Sequence, residues 1–184
     1  MTPFEERATL DSMEILVDNR EQDTDRARRR YSTFGVPYEK TTLSYGDYTY
    51  NATLPYGMKI FDLVDTVEPY VAIERKMDLT ELANCFINRK NEKTRDRFRR
   101  EFERAAEHGC RIFLIVENAS WENLYLGRYR SQFSPAAFVG SLTAWMVRYN
   151  ANLVFCKEET SGKLIHDILY RDLKERIERG EFDR

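Results

Sequence analysis

The order of apolar stretches is the feature that most constrains the fold of this sequence. A short β-branched stretch, EILVD at residues 14–18, precedes a helix-forming segment that ends at Gly35. In the second half, CRIFLIVE and ANLVFC alternate with two helix-patterned segments, SPAAFVGSLTAWMVRYN and EETSGKLIHDILYRDLKERIE. Alternating strands and amphipathic helices are typical of α/β folds. We therefore predict an α/β fold with a central mixed β-sheet flanked by helices.

The middle of the chain carries four further β-rich stretches, VPYEKTTL, GDYTYNATL, MKIFDLVDTVEPY and VAIERK. Gly, Pro and Asn separate these stretches, so we predict an antiparallel meander. After Lys76 the apolar residues recur with a helical period, which predicts two helices with one buried face each. The residues on these faces are Leu79, Leu82, Ala83, Phe86, Phe98, Phe102 and Ala105.

Length and composition predict one domain in a reducing compartment. A chain of 184 residues is long enough for a sizeable core, so we predict a single domain over residues 1–184, with 1–12 and 180–184 flexible. No apolar run reaches the roughly 20 residues that span a bilayer, and the N-terminus has no secretory pattern. The three cysteines are scattered and fit no disulfide framework. We expect a cytoplasmic protein without a membrane partner.

Basic residues are concentrated in one part of the chain. The formal net charge is -2 and the pI is near 5.8, which excludes binding to nucleic acid by overall charge. Residues 88–104, however, hold eight Lys or Arg against four Asp or Glu. Such a run is either the solvated face of a helix or a local surface for nucleic acid.

Charged side chains stand at the ends of several predicted strands. They are Asp18, Arg20, Glu21, Asp47, Glu74 and Lys76. Carboxylates that meet at one edge of a sheet repel one another unless a cation lies among them. Mg²⁺ takes oxygen ligands, usually one or two carboxylates with water and substrate phosphate. His108 and His166 fall on predicted surface helices, so we favour a Mg²⁺ or Mn²⁺ site over one built from His or Cys.

Glu74 and Lys76 lie two residues apart on a predicted strand. Strand side chains alternate between the two faces, so Glu74 and Lys76 share a face and Arg75 points to the other. A lysine beside a metal-binding carboxylate can direct a water molecule at phosphorus. Taken alone, the same spacing also suits a surface salt bridge, so the pair permits both interpretations.

Three motifs, in this order, resemble the nuclease domain of the XPF-type (ERCC-family) structure-specific endonucleases, which belong to the restriction-endonuclease-like superfamily. The motifs are VDNRE at residues 17–21, GDY at 46–48 and ERK at 74–76. At motif level the resemblance covers residues 15–86, and beyond them only the order of strands and helices matches. It implies a restriction-endonuclease-like fold and a stand-alone nuclease domain, as in bacteria or phages.

The resemblance also implies roles for individual residues. In the family, the aspartate of GD and the glutamate of ERK bind the metal, and the lysine assists the attacking water. These positions are Asp47, Glu74 and Lys76 here, with Mg²⁺ as the expected cofactor and Mn²⁺ as its substitute. The first motif lines the same pocket in the family, and the middle residue of ERK is basic. The further site residues implied are Asp18, Arg20, Glu21 and Arg75, with Asp18 and Glu21 as additional metal ligands.

The sequence departs from the family pattern in two places. Thr80 stands where the family has an aspartate, separated from ERK by three residues. Thr80 either caps or shapes the helix, or Asp78 substitutes for the acid from the preceding turn. Nothing after Cys156 resembles the helix-hairpin-helix modules that family members often append. Selectivity for branched DNA is therefore expected from the nuclease domain itself, from a homodimer or from a partner subunit.

Basic residues downstream of ERK are predicted DNA contacts, because a duplex that enters the site would run its phosphates past them. They are Arg89, Lys90, Lys93, Arg95, Arg97, Arg99 and Arg100. Tyr45, Tyr48 and Tyr50 either stack on bases or pack in a half-buried sheet, and we expect packing.

We expect a Mg²⁺-dependent endonuclease that hydrolyses phosphodiester bonds in branched or flapped DNA during repair, recombination or replication, on the nucleoid in the cytoplasm. The alternative is a catalytically inactive DNA-binding subunit of a nuclease complex. Thr80 favours this alternative, whereas the presence of Asp47, Glu74 and Lys76 together disfavours it. A third interpretation, a structural α/β domain with surface ion pairs, predicts that divalent metal leaves the melting temperature unchanged.

Overall fold

The chain has an α/β fold with a mixed six-stranded β-sheet flanked by helices, which confirms the predicted class. The computed structural model describes residues 1–87 and 92–183. The strands are β1 Glu14–Asp18, β2 Tyr38–Thr41, β3 Tyr48–Asn51, β4 Val71–Lys76, β5 Arg111–Glu117 and β6 Asn152–Cys156. The helices are α1 Pro3–Asp11, α2 Asp25–Tyr31, α3 Leu79–Ile87, α4 Glu92–Glu107, α5 Trp121–Tyr125, α6 Pro135–Tyr149 and α7 Glu158–Glu178.

The chain divides into two compact units. The first unit consists of Met1–Val71 and Gly162–Arg184, and the second is Ala72–Ser161. The first unit has the strand order β2-β1-β3, and the second has the order β4-β5-β6. None of the helices in the described ranges is both long enough and apolar enough to cross a membrane.

The predicted antiparallel meander is wrong for the strands of the first unit. Strand β1 lies between β2, which is parallel to it, and β3, which is antiparallel to it. Strand β2 therefore does not pair with β3 as a hairpin. The parallel pairing is possible because α2 and its flanking loops carry the chain back to the start of the sheet, as a crossover connection requires.

The third predicted strand of the meander, in residues 58–70, is also wrong. This segment makes isolated bridges, such as the one between Leu43 and Val67, and no ladder. Two prolines, a glycine and two aspartates interrupt the stretch from residue 55 to 69, and such residues disfavour regular strands. Its apolar side chains cover the core instead, because Phe61 and Leu63 pack against buried Leu16 and Leu43.

Residues 3–11 form helix α1, in the segment for which the sequence predicted flexibility. Thr2 is the N-cap, and its hydroxyl accepts a hydrogen bond from the Glu5 backbone N–H. The Glu5 carboxylate returns a bond to the Thr2 backbone N–H, and Pro3 occupies the first helical position. This capping box satisfies backbone donors that a short helix would otherwise leave without a partner.

The second unit has parallel β5 and β6 and a core of aromatic rings. The Phe86 ring lies 5.0 Å from Trp145 and 5.8 Å from Phe98, centre to centre. Phe98 stacks on Trp145 at 5.4 Å. Aromatic pairs at these spacings stabilise a core beyond the area they bury. Helices α3, α4 and α6 are joined through this cluster, as the helical periodicity after Lys76 predicts for α3 and α4.

Candidate active site

Asp18 closes β1 and is 1% exposed. Its Oδ1 atom accepts hydrogen bonds from the Arg20 backbone N–H at 2.8 Å and from Arg20 Nε at 2.6 Å. Its Oδ2 atom accepts from Arg20 Nη2 at 3.0 Å and from the Leu43 backbone N–H at 2.9 Å. A carboxylate offers about four acceptor positions. Those four bonds occupy the acceptor positions of the Asp18 carboxylate, which gives Asp18 a structural role. Its role as a metal ligand stays a prediction.

Asp18 and Arg20 together fix the segment that carries Asp47. Arg20 Nη2 also donates to the Leu43 carbonyl at 3.1 Å, so both backbone groups of Leu43 are held. The Asp18 backbone N–H donates to the Asp47 carbonyl at 2.8 Å. Gly46 has φ +76°, which favours glycine and turns the chain just before β3. We call this arrangement the Asp18 clasp; it places Asp47, half-buried, at the start of β3.

Glu21 belongs to a polar network with Tyr48 and Arg30. The Tyr48 hydroxyl donates to Glu21 Oε2 at 3.0 Å and accepts from Arg30 Nη1 at 3.1 Å. Arg30 Nη1 also lies 3.8 Å from Glu21 Oε2. Arg30 is 3% exposed, so its charge is balanced within the protein rather than by water. These contacts hold Glu21 to α2 and β3.

Sequence reasoning missed Arg30, because it lies in a run of arginines that resembles a solvated helix face. The signal was the helical period of α2. Ala27, Arg30 and Tyr31 follow at i, i+3 and i+4, and all three are buried. Arg30 therefore lies on the apolar face of α2, where a charged side chain needs a partner. Tyr45, Tyr48 and Tyr50 are each at most 1% exposed, so they pack in the core as expected.

We expect Tyr48→Phe to lower the free energy of unfolding by about 1–2 kcal/mol, because it removes a hydroxyl that serves both Glu21 and Arg30 in a buried site. Urea unfolding followed by fluorescence measures this change. Tyr125→Phe is the matched control, since Tyr125 is 62% exposed, and it should stay within about 0.5 kcal/mol of the parent. Equal stability of the two variants would contradict the network.

In the second unit, Glu74 and Lys76 lie at the end of β4. Glu74 is 5% exposed, and Lys76 Nζ donates to Glu74 Oε1. The contact agrees with the predicted placement of both side chains on one face of the strand. Lys76 Nζ also lies 5.3 Å from the centre of the Phe98 ring on α4, within the range of a cation–π interaction. Carboxylate and ring together fix the ammonium group from two sides.

Arg75, between these two residues, contacts Glu117. Arg75 Nη1 donates to Glu117 Oε2 at 3.4 Å, and the Glu117 side chain is fully buried at the end of β5. Removing the cation from such a pair would leave a buried charge without compensation. The described contact gives Arg75 a role in holding β4 and β5 together, and its predicted catalytic role stays a prediction.

The start of α3 shows the hydrogen bonds that Asp78 and Thr80 make. Asp78 caps α3, because its Oδ1 atom accepts from the Glu81 backbone N–H at 2.8 Å. Glu81 Oε2 in turn accepts from the Met77 backbone N–H at 2.6 Å. The Thr80 Oγ1 atom accepts a hydrogen bond from the Arg130 backbone N–H at 3.1 Å. Thr80 therefore anchors the loop between α5 and α6.

The basic face of α4 lines an open groove. The groove has a volume of about 230 Å³ and is lined by Asp96, Arg97, Arg100 and Arg104. Arg97, Arg100 and Arg104 recur at i, i+3 and i+7, which places them on one ridge of the helix. Arg97 is paired with Glu101 at 3.6 Å, while Arg99 is paired with Glu103 at 3.5 Å.

Four of the predicted DNA contacts cannot be placed at the level of side chains. Arg89 and Lys90 lie outside the described residues, and so do the side chains of Lys93 and Arg95. In the part of the chain that the structure describes, no three His, Cys, Asp or Glu residues lie together as a metal-binding group. The predicted ligands remain Asp47, Asp18 and Glu21 in the first unit and Glu74 in the second.

Comparison with known proteins gives the family. The model of the ERCC4 domain matches residues 17–168, which is most of the chain. The chain therefore belongs to the ERCC4 domain family. This is a family of nucleases, which supports an endonuclease function, and nucleases of the family generally depend on a divalent metal.

Two solved structures have a similar fold. The chain is 20% identical to XPF from Aeropyrum pernix, with a TM-score of 0.56, covering 92% of this chain and 69% of that one. It is 21% identical to the structure of XPF from Aeropyrum pernix in complex with DNA, with a TM-score of 0.57, covering 89% and 66% of the two chains. The fold is thus that of the XPF nuclease domain. The search of curated proteins gave no match.

Proposed function

We propose that this protein is a metal-dependent DNA endonuclease that hydrolyses phosphodiester bonds in branched or flapped DNA. The observation that carries the proposal is the Glu74–Lys76 pair, in which a nearly buried carboxylate and an ammonium group share the end of β4. Membership of the ERCC4 family supports the reaction class. The similar structure of XPF in complex with DNA supports DNA as the substrate.

Asp47 and Glu74 are the proposed ligands of Mg²⁺, with Mn²⁺ as the proposed substitute. The donors fit a hard cation, because both are carboxylates and Mg²⁺ needs only one or two from the protein. The Asp18 clasp fixes the segment of Asp47, and the Lys76 contact fixes Glu74. The metal supplies Lewis-acid stabilisation of the charge on the phosphoryl group.

Lys76 orients the attacking water in this proposal. Its ammonium group donates hydrogen bonds and stays where Glu74 and the Phe98 ring hold it. A fixed donor costs no reorganisation when charge develops on the phosphoryl oxygens. By resemblance to the family, the products carry 5′-phosphate and 3′-hydroxyl ends.

Asp18, Arg20 and Glu21 act as positioning residues in the proposed site. Asp18 and Arg20 hold the segment before Asp47, and Glu21 is held by Tyr48 and Arg30. Additional binding of metal by Asp18 or Glu21 remains part of the proposal. Arg75 supports the site from β4 through its contact with Glu117.

The proposed DNA surface is the basic face of α4. Arg97 and Arg100 line the groove on this helix, which extends the predicted contacts to Arg104. Guanidinium groups suit phosphate because their fork of donors matches its oxygens. Arg89, Lys90, Lys93, Arg95 and Arg99 complete the proposed set.

The second candidate function is a catalytically inactive DNA-binding subunit. The observation that favours it is Thr80, which stands at the position of the family aspartate and anchors the loop before α6. Such a subunit would act with a partner chain that carries the chemistry. A homodimer of active chains is the corresponding proposal for the nuclease.

We further propose a reducing cytoplasmic setting, on the nucleoid, with a role in repair, recombination or replication. The three cysteines, Cys85, Cys110 and Cys156, form no disulfide bond in the structure. Burial raises the pKa of the Cys85 thiol to about 11, so this thiol stays protonated near neutral pH. Disulfides are rare in reducing compartments, which agrees with the proposed setting.

Cleavage of labelled fork, 3′-flap and duplex DNA tests the proposal. We expect cutting with Mg²⁺ or Mn²⁺ and none with EDTA. EDTA removes the metal ion, which in this proposal is bound by the carboxylates and stabilises the charge on the phosphoryl group. Asp47→Asn should abolish cutting as well. Asp11→Asn, an exposed aspartate on α1 with a 71% exposed side chain, is the matched control and should cut like the parent.

Two other outcomes would change the conclusion. Binding of DNA without cutting in any metal would establish the inactive subunit in place of the enzyme. Neither binding nor cutting, with a melting temperature that divalent metal leaves unchanged, would support the structural α/β domain, because a ligand that binds the native state raises its stability.

A further inference from the structure

The loop between α5 and α6, residues 127–134, presents two exposed arginines, Arg128 and Arg130. Each carries a positive charge, and no carboxylate of the described residues forms an ion pair with either guanidinium group. Most other arginines with described side chains have a carboxylate partner, as Arg97 and Arg99 do on α4. The loop therefore offers charge that the described chain itself does not balance.

Contacts within the loop and to α6 support its conformation. Gly127 has φ +66°, and a Cβ there would approach Pro135 Cγ to 3.2 Å. The Tyr129 hydroxyl donates to the Phe133 carbonyl at 2.7 Å, and burial raises the pKa of this hydroxyl. Phe133 stacks on Phe138 of α6 at 5.1 Å. A preformed loop loses little conformational entropy when it binds.

Thr80 fixes this loop to the start of α3. The Arg130 backbone N–H donates to Thr80 Oγ1 at 3.1 Å. Thr80 follows Lys76 by four residues, so the two Cα atoms are at most about 14 Å apart even in a fully extended chain. Arg130 is thereby placed within a few nucleotides of the phosphate that Lys76 would face, since each strand of DNA carries one phosphate per roughly 3.4 Å of helix axis.

We propose that loop 127–134 is a second phosphate-binding element for the DNA substrate, in which Arg128 and Arg130 contact the backbone and Thr80 is the positioning residue. The proposal rests on the proposed function, because it assumes that DNA is the ligand. In this proposal Thr80 accepts the hydrogen bond from the Arg130 backbone N–H. An aspartate could also accept this bond, but it would add a negative charge beside a phosphate-binding loop.

Phosphate is the chemistry that the loop suits best. Guanidinium groups bind phosphate oxygens through paired donors and keep their charge at any physiological pH. Contacts to phosphate fix the position of a duplex without reading its sequence. Such contacts fit a protein that recognises the shape of DNA, and they make binding depend on salt concentration.

The test measures DNA binding by fluorescence anisotropy in EDTA, so that cleavage plays no part. Each phosphate contact contributes about 0.9 to the slope of log K against log salt concentration. The double variant Arg128→Gln, Arg130→Gln should therefore have a slope smaller by about 1.8 than the parent. Between 50 and 200 mM salt, the parent should lose about tenfold more affinity than this variant.

Arg148→Gln is the matched control for the loss of charge. Arg148 is an exposed arginine in the last turn of α6, about 20 Å along the helix from Ser134, which caps its first turn. Its slope should equal that of the parent. An unchanged slope in the double variant, or an equal loss in Arg148→Gln, would overturn the inference.

Thr80 variants test the anchoring. Thr80→Val keeps the shape of the side chain and removes the acceptor, whereas Thr80→Ser keeps the hydroxyl. We expect Thr80→Val to weaken DNA binding and reduce the slope, and Thr80→Ser to bind like the parent. Equal binding by both variants would overturn the positioning role.

The same measurements separate this inference from the proposed function. If the parent binds and cuts DNA while the loop variants show the parent's salt slope, the inference fails and the nuclease stands. If the parent does not bind DNA at all, both fail together.

Discussion

Lys76→Met is expected to lower the single-turnover rate of DNA cleavage by about 10²- to 10⁴-fold, the range for loss of a group that acts on the proton or charge of the reacting atoms. Methionine is unbranched like lysine and one heavy atom shorter, but it carries no charge and donates no hydrogen bond. DNA affinity in EDTA should change little, because the arginines of α4 remain. Rapid-quench kinetics at saturating enzyme measure the chemical step apart from binding.

The control for this variant is Lys163→Met on α7. Lys163 has a 67% exposed side chain and an ion pair with Asp167 at 2.8 Å, so its removal should leave the rate unchanged. A Lys76→Met enzyme that is folded, binds DNA and cuts at the parent rate would refute the role of Lys76. Loss of folding in Lys76→Met is recognised by circular dichroism, and Lys76→Arg, which keeps the charge but changes the donor geometry, then tests the same role.

Gly162→Ala is expected to lower the free energy of unfolding by about 2 kcal/mol. A Cβ at this position of α7 would lie 2.1 Å from Thr33 Oγ1 and 2.3 Å from the Arg30 carbonyl oxygen. The backbone of α2 must therefore move, since a carbonyl cannot rotate away like a side chain. Alanine favours a helix by about 1 kcal/mol over glycine. The measured loss of stability therefore equals the cost of the steric overlap minus this gain.

Gly140→Ala on α6 is the same substitution, but we expect it to raise the free energy of unfolding. Nothing lies within 4 Å of a Cβ at this helical position. We expect a gain of about 0.5–1 kcal/mol, from helix propensity alone. Urea unfolding of both variants measures the difference in their free energies of unfolding, when the dependence of that free energy on urea concentration has the same slope in both. Destabilisation of both, or of neither, would contradict the close approach of α7 and α2.

The elements with strong periodic signals were predictable from the sequence. Strand β1 and helix α7 have the predicted bounds, and α6 begins at the predicted Ser cap and Pro. In these segments local propensity and burial agree, so short-range rules suffice. The Glu74–Lys76 contact was predictable for the same reason, because it depends only on the alternation of side chains along one strand.

The features that sequence reasoning missed depend on contacts between distant parts of the chain. The parallel pairing of β2 with β1 is decided by the path of the chain through α2, which propensity does not encode. The burial of Arg30 is decided by Tyr48 and Glu21, which lie outside its helix. The contact of Thr80 could not be predicted either, because its partner, the Arg130 backbone N–H, lies fifty residues away in the sequence.

The Asp18 clasp limits how the GDY turn can be exchanged between related proteins. Its anchor points are side-chain groups of Asp18 and Arg20 in the first motif, and the bonds end on backbone atoms of Leu43. A graft of residues 42–48 alone would therefore bring an aspartate without the groups that hold it. A transplant that moves both motifs together carries its own scaffold, so the unit of exchange in protein engineering is the motif pair and not the turn.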